Sequence, residues 1–398
     1  MKKPLDLPAI QTELSRAKLD GWLFYDHHHR DAIAYRVLGV EPALVTRRWY
    51  YFIPSAGEPS KLVHRIERGN LEGLPGMLQE YSSWQEQNEC LAAMLHGVKR
   101  VAMQYSPSNA IPYVGLVDAG TVERVRSLGV EVVTSADLVQ LFEARWSAEQ
   151  LASHLEAGKT VHEGVRRGFE AVRRAILAGK TIREYDVAHE IMRLFESRGL
   201  TTEGEPLIVA VNANCSNPHY APAAGNSSPI RRGDLVLLDL FAKCNRPGAV
   251  YFDITWMGFV GEEPPAKFAE IFEVVRAARD AAIAKVESSV HAGQPLQGFE
   301  VDDAARGVIA GKGYGQYFTH RTGHSIGEDV HGNGANMDNF ETHDERSVIP
   351  RTCFSIEPGV YLPDFGVRSE VNVYVEERSA RVTGEIQQEI VPILAASA

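Results

Sequence analysis

Gly233-Asp-Leu-Val-Leu-Leu-Asp-Leu-Phe241 and Val250-Tyr-Phe-Asp-Ile-Thr-Trp-Met-Gly258 spell two apolar strands, joined by a turn containing Pro247-Gly248. One acid interrupts each strand, Asp239 the first and Asp253 the second. An ionised carboxylate inside an apolar strand is costly unless something pairs with it. Two of them in one hairpin repel each other unless a cation lies between them.

Working outward, the hairpin is preceded by two helical patterns. Ser147-Ala-Glu-Gln150 reads as a capping box opening a long amphipathic helix, with Leu151, Leu155, Val161, Val165, Phe169, Val172 and Ile176 at helical spacing and an end near Ala178-Gly179. Thr181-Ile-Arg-Glu184 reads as a second capping box, opening a helix stopped by Gly199. The same order then recurs. Pro264-Pro265 opens a long helix that ends at Ala292-Gly293, a short helix follows over about 299–310, and strands come after it. A repeat of long helix, short helix and strands predicts two related halves about a pseudo-twofold axis, with their strands in one sheet and the helices outside.

The second half supplies Thr319-His-Arg-Thr-Gly-His-Ser-Ile-Gly327, His331, the strand Cys353-Phe-Ser-Ile-Glu-Pro358, and the strand Gly366-Val-Arg-Ser-Glu-Val-Asn-Val-Tyr-Val375. Alternation puts Arg368, Glu370, Asn372 and Tyr374 on one face and Val367, Val371, Val373 and Val375 on the other. Glu357 alternates likewise with Phe354 and Ile356. Asp239, Asp253, Glu357, Glu370 and one histidine therefore offer four carboxylates and an imidazole, and two divalent cations would cancel the four charges. A single zinc site is normally richer in His or Cys. Calcium takes its oxygens from a compact loop. An oxygen-rich set with one His suits two Mn, Co, Fe or Zn ions, which together lower the pKa of a water from about 15.7 towards 7. On the residues alone, structural salt bridges remain the other reading.

Residues 1–145 read as a separate α/β unit. Trp22-Leu-Phe-Tyr25, Trp49-Tyr-Tyr-Phe-Ile53, Arg100-Val-Ala-Met-Gln104 and Val130-Glu-Val-Val133 are strand candidates, with helical patterns at about 7–17, 67–79 and 117–127. His27-His28-His29 is conspicuous, but three successive side chains do not converge on one metal. It reads as a polar loop after a strand, or as a loop that reaches a neighbouring active site.

Composition bounds the function. The 398 residues carry a net charge of −11, which argues against a general nucleic-acid or membrane-surface binder. No apolar run approaches the ~20 residues of a membrane span, and the N-terminus does not read as a signal peptide. Cys90, Cys215, Cys244 and Cys353 show neither metal-site spacing nor disulfide density, so reduced thiols and a cytoplasmic location are expected.

The ordered set of Asp, Asp, His within Gly-His-x-Ile-Gly, Glu within Ile-Glu-Pro-Gly and Glu after Gly-x-Arg resembles the pita-bread metallopeptidases, the group that contains methionine aminopeptidase, Xaa-Pro aminopeptidase and Xaa-Pro dipeptidase (prolidase). The resemblance covers about residues 150–395, and the preceding region resembles the N-terminal domain of the proline-specific branch. It implies an α+β fold with a creatinase-like α/β domain at 1–145 and a pita-bread catalytic domain at 146–398. It also implies two divalent ions per chain, manganese by preference with zinc or cobalt as alternatives, a homodimer, and a peptide substrate with proline after the scissile bond.

Carried over by position, the resemblance makes Asp239 a ligand of one metal, Asp253 and Glu370 bridging ligands, and His324 and Glu357 ligands of the other. Glu357 would also shuttle the proton. His219 would line the cleft, His320 and His331 would contact the scissile carbonyl and the P1′ side, and Arg368 would steady the network around the metals.

The chain departs from the family pattern at several points. Ala242 to Gly248 looks like a small insertion, Val250 stands where a tyrosine is usual, and Trp256 where an arginine is usual. Gly-His-Gly-Ile-Gly has become Gly-His-Ser-Ile-Gly, and His331-Gly-Asn-Gly replaces His-Glu-x-Pro. No ligand type is lost. That counts against creatinase, which works without metal, and against non-catalytic scaffolds of the same fold. Dipeptidase is the expected activity, partly because a His-rich loop such as 26–30 from a partner chain can close the cleft in prolidase-like dimers. Xaa-Pro aminopeptidase is the alternative.

Overall fold

A computed structural model describes residues 5–41 and 44–395. The chain divides into two compact units, Met1–Ala144 and Arg145–Ala398.

The first unit is built on a six-stranded mixed sheet. Its order is Met77–Tyr81, Ser60–His64, Trp49–Pro54, Gly21–Asp26, Arg100–Met103, Glu131–Thr134. Successive side chains of a strand point to opposite faces, and Gly21–Asp26 shows the consequence. Trp22 and Phe24 join one apolar cluster with Ile10, Leu14, Ile33 and Val37, while Leu23 and Tyr25 join another with Leu91, Met94, Val122 and Val125. Helices Leu7–Arg16 and Ala32–Leu38 therefore cover one face, and Trp84–Met94 and Ala119–Arg126 the other.

The helix expected at 67–79 is absent. A single 3-10 turn, Arg65–Glu67, is followed by turns and then by the strand Met77–Tyr81. Gly73 (φ 90°) and Gly76 (φ 113°) hold backbone angles no right-handed helix contains, and Pro75 lies between them.

In the second unit, helices Ala148–Leu177 and Glu184–Ser197 are matched by Ala266–His291 and Gly298–Gly311. Both long helices end before a glycine in the left-handed region, Gly179 and Gly293. Ser147 and Gln150 form the expected capping box. Thr181 does not cap its helix, which begins at Glu184. There Asp186 accepts from the Arg183 backbone N–H (2.9 Å), and Glu184 is buried, accepting from Val211, Asn214, Tyr220 and Ser228.

The strands do not form one sheet. Leu235–Cys244 and Phe252–Phe259 belong to a sheet with Leu200–Thr201, Ile208–Val211 and Val391–Pro392, whereas Ser325–Ile326, Cys353–Ile356, Val371–Val375 and Ala380–Val382 form another. The long strand expected over Gly366–Val375 is divided. Gly366–Arg368 pairs with Gly359–Tyr361, Val371–Val375 pairs with Cys353–Ile356, and Ser369 and Glu370 lie between. The two segments serve different partners, so the backbone must turn out of one ladder before it enters the next. Val367, Val371, Val373 and Val375 still share one apolar core.

Leu235–Cys244 shows how the core positions the acids. Val236, Leu238, Leu240 and Ala242 face the cluster beneath the first long helix. On the other face, Leu235 and Leu237 enter the second cluster and Asp239 follows them.

Candidate metal centre

Register brings the acids together. In the hairpin Asp239 stands opposite Thr255 and Phe241 opposite Asp253. Residues paired across a ladder share a face, so Asp239 and Asp253 are diagonal neighbours on it. In the second sheet Ser355 stands opposite Asn372, and the next positions along that face are Glu357 and Glu370. The two sheets are tied at this point. The Glu370 N–H donates to the Thr255 carbonyl (3.3 Å), the Asp253 N–H to Asn372 Oδ1 (3.2 Å), and the Thr255 hydroxyl to Glu370 Oε2 (2.8 Å).

His324 enters from the segment before the second sheet. A Cβ at Gly323 would lie 1.9 Å from the Ser355 carbonyl oxygen, so only glycine allows this approach. The His324 N–H donates to Ser355 Oγ (2.9 Å). Its Nε2 lies 3.6 Å from Asp253 Oδ2 and 3.4 Å from Glu357 Oε1. One donor atom each from Asp253, His324 and Glu370 fall within 4.8 Å of one another, and all three residues are buried. Arg368 reaches across with its whole fork. Nε donates to Thr255 Oγ1 (3.0 Å), one terminal nitrogen to the Tyr361 hydroxyl (3.2 Å), and the other to Asp239.

Burial pushes every carboxylate here up. Asp239 rises to about 7, from desolvation with Arg368 opposing it, and Asp253 rises to about 7 for the same two reasons. Glu357 is raised by burial, and Glu370 well above its ordinary value by burial and then by Asp253. His324 is lowered, first by burial. Three buried acids and the partly buried Glu357 thus face one guanidinium and one neutral imidazole. Asp253 Oδ1 is buried with no hydrogen-bond partner, and a bare oxygen of this kind is expensive unless a cation takes it. The oxygen-rich set with one imidazole nitrogen fits divalent metal.

The remaining predicted residues have distinct settings. His320 Nδ1 faces the Arg321 carbonyl (2.6 Å), which only accepts, so Nε2 accepts from the Tyr361 hydroxyl (2.6 Å). Burial lowers His320 to about 3, so its ring is neutral. His331 packs edge-on against His324, with ring centroids 4.3 Å apart, and is held down to about 3 by His324 first and then by burial. His219 lies exposed on the loop after Asn217, whose side-chain Oδ1 accepts from the His219 N–H (3.2 Å).

Sequence reasoning missed Thr255, Ser355 and Tyr361. Alternation with Asp253 and Glu357 marks the first two. Tyr361 carries no such signal, because it reaches Arg368 across the Gly359–Tyr361 and Gly366–Arg368 ladder.

The departures from the family pattern have structural accounts. The extra residues lengthen the strand to Cys244, where Lys243 and Cys244 pair with Thr201 and Leu200. Val250 is buried in a small cluster with Trp146 and Phe241. The Tyr251 hydroxyl meets Glu203 (3.3 Å) instead of the acids. Trp256 packs on the far side of the strand, against His162.

A buried acidic centre between two duplicated sheet-and-helix halves defines a metallohydrolase class of site. The chain belongs to metallopeptidase family M24, whose model matches residues 154–377. It is 30% identical over 228 residues to an Xaa-Pro dipeptidase of Lactobacillus delbrueckii subsp. lactis, a stretch covering 56% of this chain and 54% of that one. It is 28% identical over 286 residues to an Xaa-Pro dipeptidase of Pyrococcus furiosus, covering 68% and 76%. The crystal structure of dipeptidase PepE from Mycobacterium ulcerans superposes with a TM-score of 0.70 at 21% identity, over 98% of this chain and 99% of that one. The expected pita-bread fold with a preceding N-terminal domain is the fold found.

Proposed function

We propose that this chain is a dinuclear metal-dependent peptidase that hydrolyses Xaa-Pro dipeptides. The observation that carries the reading is the convergence of Asp253, His324 and Glu370 within 4.8 Å, with Glu357 3.4 Å from the same imidazole. Asp239, Asp253, His324, Glu357 and Glu370 would hold two divalent ions, manganese by preference or zinc or cobalt. When bound, such a pair polarises a carbonyl and makes water acidic enough to attack at neutral pH.

The chain's own residues do the rest. Glu357 accepts from the Ser355 hydroxyl at Oε1 (3.0 Å), and its raised pKa suits it to take a proton at its other oxygen and return it to the leaving nitrogen. Arg368 fixes Asp239, and Tyr361 fixes His320. His219, His320 and His331 would line the substrate cleft. The proline ring nitrogen at the scissile bond has no hydrogen to donate, and a site acting through the carbonyl does not need one. The relatives named Xaa-Pro dipeptidase support this substrate class. A cytoplasmic homodimer accompanies the reading.

The test combines metal analysis with kinetics on Ala-Pro and on a longer Xaa-Pro peptide. About two divalent ions per chain, turnover of Ala-Pro abolished by chelation, and loss of both in Asp253→Asn are expected. Faster turnover of the longer peptide would move the assignment to Xaa-Pro aminopeptidase. Ala-Pro turnover that survives chelation would remove the metallopeptidase reading.

A further inference from the structure

The first unit holds a cavity of about 770 Å³ whose lining is strongly cationic. Arg30, Arg47, Arg48 and Arg124 all line it, and among the described residues Asp118 is the one carboxylate that does so. Asp118 is already engaged, accepting from the Thr121 N–H (2.9 Å) and hydroxyl (2.8 Å). Arg30, Arg48 and Arg124 make no ion pair among the described residues, and Arg124 Nε is buried without a hydrogen-bond partner. A chain of net charge −11 that gathers four arginines around one acid has concentrated cationic charge against its overall balance.

Two further features shape the lining. Helices Trp84–Met94 and Ala119–Arg126 both begin at the cavity, with Ser83, Trp84 and Gly120 in its lining. Both ends are capped within the chain, the first by Ser83 and Glu86 and the second by Asp118, so the arginines carry the charge of the site. Tyr25, Tyr50 and Tyr81 form one wall of the lining, and Arg48 is fixed beside it, its backbone carbonyl accepting from the Tyr81 hydroxyl (2.7 Å).

We propose that this cavity binds a small phosphate-bearing polyanion, a di- or triphosphate group. Four guanidiniums line the cavity against one engaged carboxylate, and the two acids behind the lining, Glu67 and Glu86, are taken up by the backbone N–H groups of Thr46, Arg47, Ser82 and Ser83, so the charge that faces the cavity is positive and suits phosphate oxygens. Planar guanidinium forks match phosphate oxygens two at a time. The half-open cavity's volume of about 770 Å³ suits a small molecule, and the chain's net charge opposes a long polyanion. Trp84, 67% exposed at the rim, offers a flat face to a ring attached to the phosphates. Every lining residue belongs to the first unit, and none is among the residues of the acidic centre.

Isothermal titration of the full-length protein with inorganic triphosphate and with ATP tests this. Saturable binding of one equivalent per chain is expected, weakened about tenfold or more by Arg48→Ala combined with Arg124→Met. Arg48 is exposed, so Arg48→Ala alone still decides the matter should the double variant fail to fold. ATP binding more tightly than triphosphate, with the advantage lost in Trp84→Ala, assigns a nucleotide. Equal binding assigns the phosphates alone. No saturable binding up to about 1 mM, or binding unchanged in the arginine variants (as chelation at the acidic centre would give), overturns the proposal.

Discussion

At the scale of single residues, the centre depends on one guanidinium with three acceptors. Arg368 holds Thr255, Tyr361 and Asp239 at once, and the Tyr361 hydroxyl donates a hydrogen bond to a neutral His320. A lysine ammonium has no planar fork and cannot reproduce this geometry. Arg368→Lys should therefore leave the fold intact and lower cation affinity about 10- to 100-fold, and kcat/KM with it, as loss of an outer partner of a metal ligand does. Tyr361→Phe tests the other end. His320 Nε2 would lose its donor, and kcat/KM should fall about tenfold or more, while direct cation titration stays nearer the parent value than in Arg368→Lys. Equal cation affinity in Arg368→Lys and the parent would show that the guanidinium does not organise Asp239. Asp239, Asp253, Glu357 and Glu370 were legible because a charge in an apolar strand is conspicuous against its neighbours. Tyr361 was not, because an aromatic residue in an apolar strand is what burial alone predicts.

At the scale of elements, the strand that carries Asp253 is set by close packing on the first long helix. A Cβ at Gly158 would meet the Phe252 ring at 2.5 Å, and one at Gly164 would meet Phe195 at 2.8 Å. These helix glycines are places where a neighbour needs the space, not turns. Gly158→Val should destabilise the protein by about 1–3 kcal/mol through overpacking and displace the strand beside Asp253. Thermal melting would show a lowered Tm, and cation affinity should fall with it. A variant with the parent Tm would mean that Phe252 has room to move. The helices of this half were readable from apolar spacing and their glycine stops. The failure at 67–79 has a local cause, since its apolar residues mimic helical spacing while Gly73, Pro75 and Gly76 break the backbone between them. The division of Gly366–Val375 was not readable, because one alternation pattern continues through both halves while the hydrogen-bond partners change.

At the scale of the whole molecule, the duplication could be read from the matched Ala178-Gly179 and Ala292-Gly293 helix ends, but not the separation of its strands into two sheets. Ladder membership is fixed by long-range pairing, and no local pattern encodes it. The joint between those sheets is where the acids converge, so protons and cations compete there for the same oxygens. Asp239 and Asp253 titrate at about 7 when folded, and Glu357 and Glu370 are raised as well. In the unfolded chain these groups titrate near 4. Between about pH 4 and pH 7 the cation-free fold therefore keeps protons that the unfolded chain has lost, and this contribution to stability is lost as pH rises through the window. A bound cation replaces those protons and stabilises the fold by mass action, so its effect should grow as the protons leave. Melting curves at about pH 5 and about pH 8, each with chelator and with saturating manganese, isolate the centre, because titrations elsewhere are common to both members of each pair. The rise in Tm on adding manganese should be clearly larger at the higher pH and should vanish in Asp253→Asn. An equal rise at both values would mean that the four carboxylates are not protonated in the cation-free fold, and that Arg368 neutralises them more fully than its contacts indicate.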